Sequence, residues 1–117
     1  MRTFKEIAKR SSQYLGSEII YLDGKGYIVY QCSTGENYEI LFIEVAQKRK
    51  GYGRMLIQEM CKKIKPYHSI FVVRRAINEE AGEFYRALGF EETLIKNLYK
   101  DEDAVIGVIP YDKITSK

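Results

Sequence analysis

The stretch from residue 38 to residue 65 constrains this chain more than any other. An almost unbroken apolar run, Ile40-Leu41-Phe42-Ile43, leads to Lys48-Arg49-Lys50-Gly51-Tyr52-Gly53-Arg54. Then Met55, Leu56, Met60 and Ile64 recur at helical spacing. An apolar run, glycines and a 3.6-residue period read as strand, tight turn and helix start. A helix start leaves main-chain N–H groups without acceptors, and the helix dipole adds partial positive charge. Such a place suits phosphate. Gly51 and Gly53 have no Cβ to hold an anion off the main chain. Lys48, Arg49, Lys50 and Arg54 add attraction for a polyanion. A solvated basic loop has the same composition, so the turn needs support from elsewhere in the chain.

The 117 residues fit one domain, 1–117. With 45% hydrophobic and 30% charged residues, a packed core under a soluble surface is expected. No apolar run approaches membrane-spanning length, and the start Met1-Arg2-Thr3-Phe4-Lys5-Glu6 has no signal-peptide apolar region. Cys32 and Cys61 are too few for a disulfide scaffold and lack metal-ligand spacing with His68, so no metal is expected. They are read as small buried hydrophobes. A reduced, cytoplasmic setting follows as the expectation. The net charge of +3 is too mild to imply nucleic acid by itself; the basic cluster at 48–54 is the candidate for that.

Local signals divide the remainder. Phe4, Ile7, Ala8, Ser11, Tyr14 and Leu15 make one face of a helix over 4–15, with Thr3 and Glu6 as a capping box and Gly16 as the stop. Residues 18–22, 27–32 and 38–45 read as strands. Asp23-Gly24 and Thr34-Gly35 turns suggest that they are antiparallel neighbours. The third is nearly continuously apolar, as in a central strand covered on both faces. The helix at 51–65 has Glu59 and Lys63 as an i,i+4 pair and ends before Pro66. With the strand at 69–74 it completes a right-handed crossover, so strands 38–45 and 69–74 should be parallel. A second helix, 79–88, has Asn78 as N-cap, Glu79 and Glu80 in its first turn and Gly89 at its end. Residues 91–99 and 104–109 read as a closing hairpin. Arg74, Arg75 and His68 read as surface or structural groups.

Two segments now combine. One is the LysXXGlyXGly turn ending at Gly53. The other is Asn78-Glu-Glu-Ala81-Gly-Glu-Phe84-Tyr85-Arg-Ala-Leu88-Gly89-Phe90. Together they resemble the GNAT superfamily of acyl-CoA-dependent N-acetyltransferases, which carries a (Gln/Arg)XXGlyX(Gly/Ala) turn after a central strand. Downstream that superfamily carries an AsnXXAlaXX(aromatic/Leu)TyrXXXGlyPhe helix. The resemblance covers roughly residues 18–110. It implies an α/β fold with a mixed, mostly antiparallel sheet, helices on both faces and a shortened N-terminal part. It also implies acetyl-CoA as co-substrate and direct transfer of the acetyl group to an amine.

The resemblance assigns roles residue by residue. The main chain of Leu41, Phe42 and Ile43 would pair with the pantetheine arm. The amides from Arg49 through Lys50, Gly51, Tyr52 and Gly53 to Arg54 would hold the pyrophosphate, with Lys48 where the family prefers Gln or Arg. Asn78 would contact the pantetheine, although an N-cap explains it equally well. Tyr85 would protonate the departing thiolate, although a core position is its alternative. Val73 stands where some members place a catalytic Glu. Glu39, in a Glu-Ile-Leu-Phe setting, is then the preferred base, Glu44 the second, and water a third. The chemistry agrees: a thioester is already activated, so orientation and proton management dominate. An extended amide arm can add to a strand edge, main-chain N–H groups can stabilise the oxyanion, and a phenol with a pKa of about 10 can give up a proton late.

The acceptor is expected to be a protein amine or a small molecule, with the shortened N-terminal side favouring protein. A homodimer stays open. Two rivals remain at this stage: a CoA-binding regulatory module without catalysis, and a small nucleic-acid-binding protein using the 48–54 cluster.

Overall fold

The structure, a computed structural model, describes residues 2–33, 35, 37–64 and 69–110. The element order is α1 (Phe4–Ser11), β1 (Glu18–Leu22), β2 (Gly26–Cys32), β3 (Asn37–Val45), α2 (Tyr52–Lys63), β4 (Ser69–Arg75), α3 (Glu79–Ala87), β5 (Glu91–Tyr99) and β6 (Glu102–Pro110). One six-stranded sheet has the order β1-β2-β3-β4-β6-β5. The β3–β4 pair is parallel, and the other neighbouring pairs are antiparallel. The mixed, mostly antiparallel sheet expected from sequence is therefore present, and so is the parallel crossover around α2.

The helices lie on both faces. Leu56, Ile57, Met60 and Cys61 of α2 pack onto Ile20, Ile28, Tyr30, Ile40, Ile70 and Val72, and Tyr85 of α3 and Leu88 at its C-cap join that core. Each fully buried aliphatic side chain there contributes about 1.5–3 kcal/mol. On the other face Ile7 of α1 meets Tyr27 and Val29, with Ile19, Tyr21, Leu41 and Phe42 around them.

A bulge explains how β3 serves both layers. Val29 pairs with Phe42 and Tyr30 with Ile40, so Leu41 is the extra residue. Strand side chains alternate between faces. The extra residue lets Leu41 and Phe42 both join the α1 layer, while Ile40, Ile43 and Val45 stay on the α2 side. Without it, Ile43 and Val45 would switch faces and Glu44 would enter the α2 core.

Several local signals act as read. Thr3 and Glu6 form the reciprocal capping box. Gly24 has φ 76° in the first hairpin, and Asn78 Oδ1 accepts from Ala81 N–H. Gly89 has φ 102°, and Phe90 N–H returns to Tyr85 O at 3.1 Å.

Others need correction. α1 stops at Ser11, because the chain turns through 12–16, and Leu15 is fully exposed rather than on the packed face. Glu59 pairs with Lys62 at i,i+3, not with Lys63. Cys32 is exposed, at the sheet end of β2, whereas Cys61 is buried as expected. Of the two readings of Arg74, surface or structural, its burial leaves the structural one. Thr34, Lys65, Pro66 and His68 lie outside the described residues.

Candidate active site

The parallel pair opens as it runs. β3 and β4 are paired from Asn37 with Ser69 to Ile40 with Val72, and no further. Among the described residues, β3 from Leu41 onward keeps β2 and has no strand on its other side. From Val73 onward β4 keeps β6 alone. The two strands thus leave a gap whose near edge is Leu41, Phe42 and Ile43. The bulge at Leu41 sits where the gap begins, and a bulge adds local twist to the strand that carries it. Phe42 is held from the α1 side by the Arg10 guanidinium, 3.6 Å from its ring centre, and by an edge-on Tyr14 at 5.5 Å.

Beyond Val45 the chain turns into α2. Arg49 has φ 62° and Gly51 φ 77°, so two residues take the left-handed conformation. Gly51 is the N-cap and offers no side chain to cap the helix. The first helical bond is Met55 N–H to Gly51 O at 3.1 Å. The N–H groups of Tyr52, Gly53 and Arg54 therefore have no helical acceptor, and the dipole favours negative charge in front of them.

The two glycines of the turn do different work. Nothing lies within 4 Å of a Cβ built on Gly51, so its need is the left-handed backbone. A Cβ on Gly53 would stand 2.7 Å from Phe84 Cζ, so Gly53 is there to let α3 approach α2. Gly53 thus has a packing reason beside the anion approach expected of it. Lys48 is also engaged, since its Nζ donates to Glu80 Oε1 in the first turn of α3.

Tyr85 lies on the α2–α3 side, half-buried, with its ring edge-on to Phe84 and Phe90 at 5.5 and 5.6 Å. Burial pushes its phenol up to about 12, so it keeps its proton across the physiological range. Asn78 is exposed at the head of the same helix; its Oδ1 is taken by the cap.

Glu39 is half-buried and pairs across to Gln31 and Phe71, one residue before the last paired position. By strand alternation it faces the α1 side, opposite to Tyr85. Glu44 faces that side too, beside its cross-strand partner Tyr27 and 4.0 Å from Arg2 Nη1. It lies at the far end of β3 from the start of the gap. Val73 is the first β4 residue past the pairing with β3. Gly53 against Phe84 and Lys48 with Glu80 make the 48–54 turn and α3 neighbours; Leu41–Ile43 lie on β3 past its last pair with β4, and Glu39 faces the α1 side.

Sequence reasoning gave Glu92 no role and read Gly82 and Phe84 only as parts of the helix motif at 78–90. Arg74 and Glu92 form a buried fork with bonds of 2.8 and 3.1 Å. A Cβ on Gly82 would stand 2.7 Å from Arg74 Cζ. The signal available was Gly82 itself, an isolated glycine inside a helical pattern, which often has a packing reason.

This divided sheet with a helix start beside its gap is an acetyltransferase fold. A family model described as "Acetyltransferase (GNAT) domain" matches residues 10–92. The chain belongs to the GNAT acetyltransferase family. It is similar to a GNAT-family protein from Desulfovibrio desulfuricans, at 21% identity over 92% of this chain and 78% of that one, with a TM-score of 0.71. A GNAT-family acetyltransferase from Elizabethkingia anophelis with acetyl-CoA bound is 20% identical over 91% of this chain and 82% of that one, TM-score 0.63. Arabidopsis thaliana Naa50, in complex with the bisubstrate analogue CoA-Ac-MVNAL, is 28% identical over 73% of this chain and 64% of that one, TM-score 0.55. No curated protein matches. Among the described residues no helix is long and apolar enough to cross a membrane.

Proposed function

We propose that the protein moves an acetyl group from acetyl-CoA to an amine. The observation that carries this reading is the gap opening after Ile40 and Val72 beside a helix start whose amides lack acceptors. The fit to the co-substrate is chemical. An extended diamide arm needs main-chain partners, and the free side of Leu41–Ile43 has them. A diphosphate needs N–H donors and positive charge, and Gly51–Arg54 with Arg49, Lys50 and Arg54 supply both. The solved relatives with acetyl-CoA and with a CoA–peptide analogue support this assignment.

Acetyl-CoA supplies an activated acyl carbon when bound. The chain's own tasks are then three. Main-chain N–H groups at the start of the gap face the developing oxyanion. Tyr85, held protonated by burial, donates its proton to the departing sulfur. Glu39, directly or through water, takes the proton that the amine loses as the amide forms. The acceptor class is an amine of a protein or a small molecule. The short α1 and the turn after it favour an extended peptide over an enclosed small molecule. A cytoplasmic setting accords with the exposed, unpaired Cys32.

Acetyl-CoA at about one hundred times its Kd should stabilise the fold by about 2.7 kcal/mol, read as a rise in Tm. Tyr85→Phe should lower kcat by about 10²-fold and leave acetyl-CoA affinity within twofold. Equal loss of rate and affinity would assign Tyr85 to packing alone. No Tm change with acetyl-CoA would remove the reading.

A further inference from the structure

Arg74 is a buried charge to which acetyl transfer gives no task. Its side chain is 6% exposed and that of Glu92 12%. Arg74 Nε donates to Glu92 Oε2 at 2.8 Å and Nη2 to Oε1 at 3.1 Å. Nη1 donates to the carbonyls of Arg75, Ala76 and Asn78 at 3.2, 3.1 and 3.1 Å. Arg86 Nη1 joins the same carboxylate at 2.6 Å, and its Nη2 reaches Glu79 at 2.8 Å. One guanidinium so ties together β4, the loop to α3, and β5.

A buried ion pair is a poor stabiliser compared with apolar packing of the same volume, so its presence here points to geometry. Arg74 lies two residues past Val72, on the flank of β4 that has left β3. It grips the carbonyl of Asn78, whose side chain caps α3. Tyr85 follows seven residues later, about two turns along the same helix. Gly82 faces the guanidinium so closely that a Cβ would stand 2.7 Å from Arg74 Cζ and Nη2 and 2.8 Å from Arg86 Nη1. Glycine is a poor residue inside a helix, and here it sets how near α3 can come to Arg74.

We propose that Arg74 is a positioning residue: its fork on Glu92 and its grip on the 75–78 carbonyls set where α3 carries Tyr85 relative to the β3–β4 gap. This rests on the acetyl-transfer reading for its catalytic meaning and on the hydrogen bonds alone for its structural one.

The test uses Arg74→Lys, Glu92→Gln, Gly82→Ala, Tyr85→Phe and the Arg74→Lys/Tyr85→Phe double variant. Hydrogen exchange of residues 79–88 and 52–63 is read beside thiol release from acetyl-CoA in a mixture of unblocked peptides, lysine and spermidine. Exchange in 79–88 should quicken at least tenfold in the first three variants and stay unchanged in 52–63. The KM for acetyl-CoA should stay within twofold while kcat falls at least tenfold. Arg74→Lys should add little to the rate loss of Tyr85→Phe, since both act through one group. Gly82→Ala is the variant with opposed expectations, because helix propensity alone would slow exchange in α3. Unchanged exchange in 79–88, or full additivity in the double variant, would overturn the proposal while the unmutated protein still transfers acetyl groups. Absence of thiol release from the unmutated protein, with α3 loosened in the variants, would overturn the acetyl-transfer reading and the catalytic half of the proposal with it.

Discussion

The two strands that part after Ile40 and Val72 lead into opposite kinds of structure. β3 runs into the 46–51 turn, where the α2 start has main-chain donors with no helical acceptor and a glycine N-cap without a side-chain bond. β4 runs into the 76–78 loop, where one buried guanidinium takes three carbonyls and a carboxylate at once. In the proposed reading the first end receives the diphosphate on those donors. The second is saturated, and its donors are spent on holding the helix that carries Tyr85. A gap between strands is useful when one lip can bind and the other stays put.

The sharpest way to break this contrast is Arg74→Ala. It leaves Glu92 with Arg86 as its remaining cation, and it strands the Ala76 carbonyl, while those of Arg75 and Asn78 keep the N–H groups of Asn78 and Gly82. Losing one partner of a buried pair costs about 3–5 kcal/mol, which urea unfolding would read as a lower midpoint. A loss no larger than that of a surface charge would show that the second lip is not held as described.

Acid is the next lever. Arg74 foremost, and then Arg86, hold the Glu92 carboxyl below its ordinary 4.5, against the opposing effect of burial. A carboxyl lowered in the folded state adds stability above its unfolded pKa and loses it as pH falls through the folded value. Stability should therefore decline below about pH 4.5, and Glu92→Gln should flatten that part of the profile. An unchanged acid limb in Glu92→Gln would place the acid sensitivity elsewhere.

Gly51→Ala probes the first lip. With φ at 77° and open space around its Cβ, the cost is backbone strain alone, about 1–2 kcal/mol. Gly51→Asn should cost less, since Asn tolerates that conformation. Equal Tm losses for the two would mean a clash, contrary to the space seen there. Smallest of all is Lys48→Met. Its pair with Glu80 bridges turn and α3, but both side chains are about three-quarters exposed. Water and salt screen such a pair, so Tm should hardly move, and any change should vanish in high salt.

Much of the α2 side was legible from residue order. The run 40–43, the glycines and the 55–64 period are short-range patterns, and strand, turn and helix answer to short-range rules. The Asn78 cap, the Gly89 reversal and the Phe90 return are also local, and each appears as read. The reading went astray where a distant neighbour decided. The period continued through Tyr14 and Leu15, yet α1 stopped at Ser11. Gly53 was read for an anion's approach alone, yet it also admits Phe84 of another helix. Cys32 looked like core and stands at an exposed strand end.

What residue order determined by itself, then, is the list of elements, their caps and the glycine turn that opens α2. Those depend on neighbours within about one helical turn or one hairpin. Only the tertiary structure decided that β6 enters between β4 and β5, that Leu41 bulges as β3 leaves β4, and that Arg74 meets Glu92 eighteen residues away in the chain. Strand order, register and a buried ion pair are settled by packing and desolvation among segments that sequence places far apart, and no local pattern encodes them.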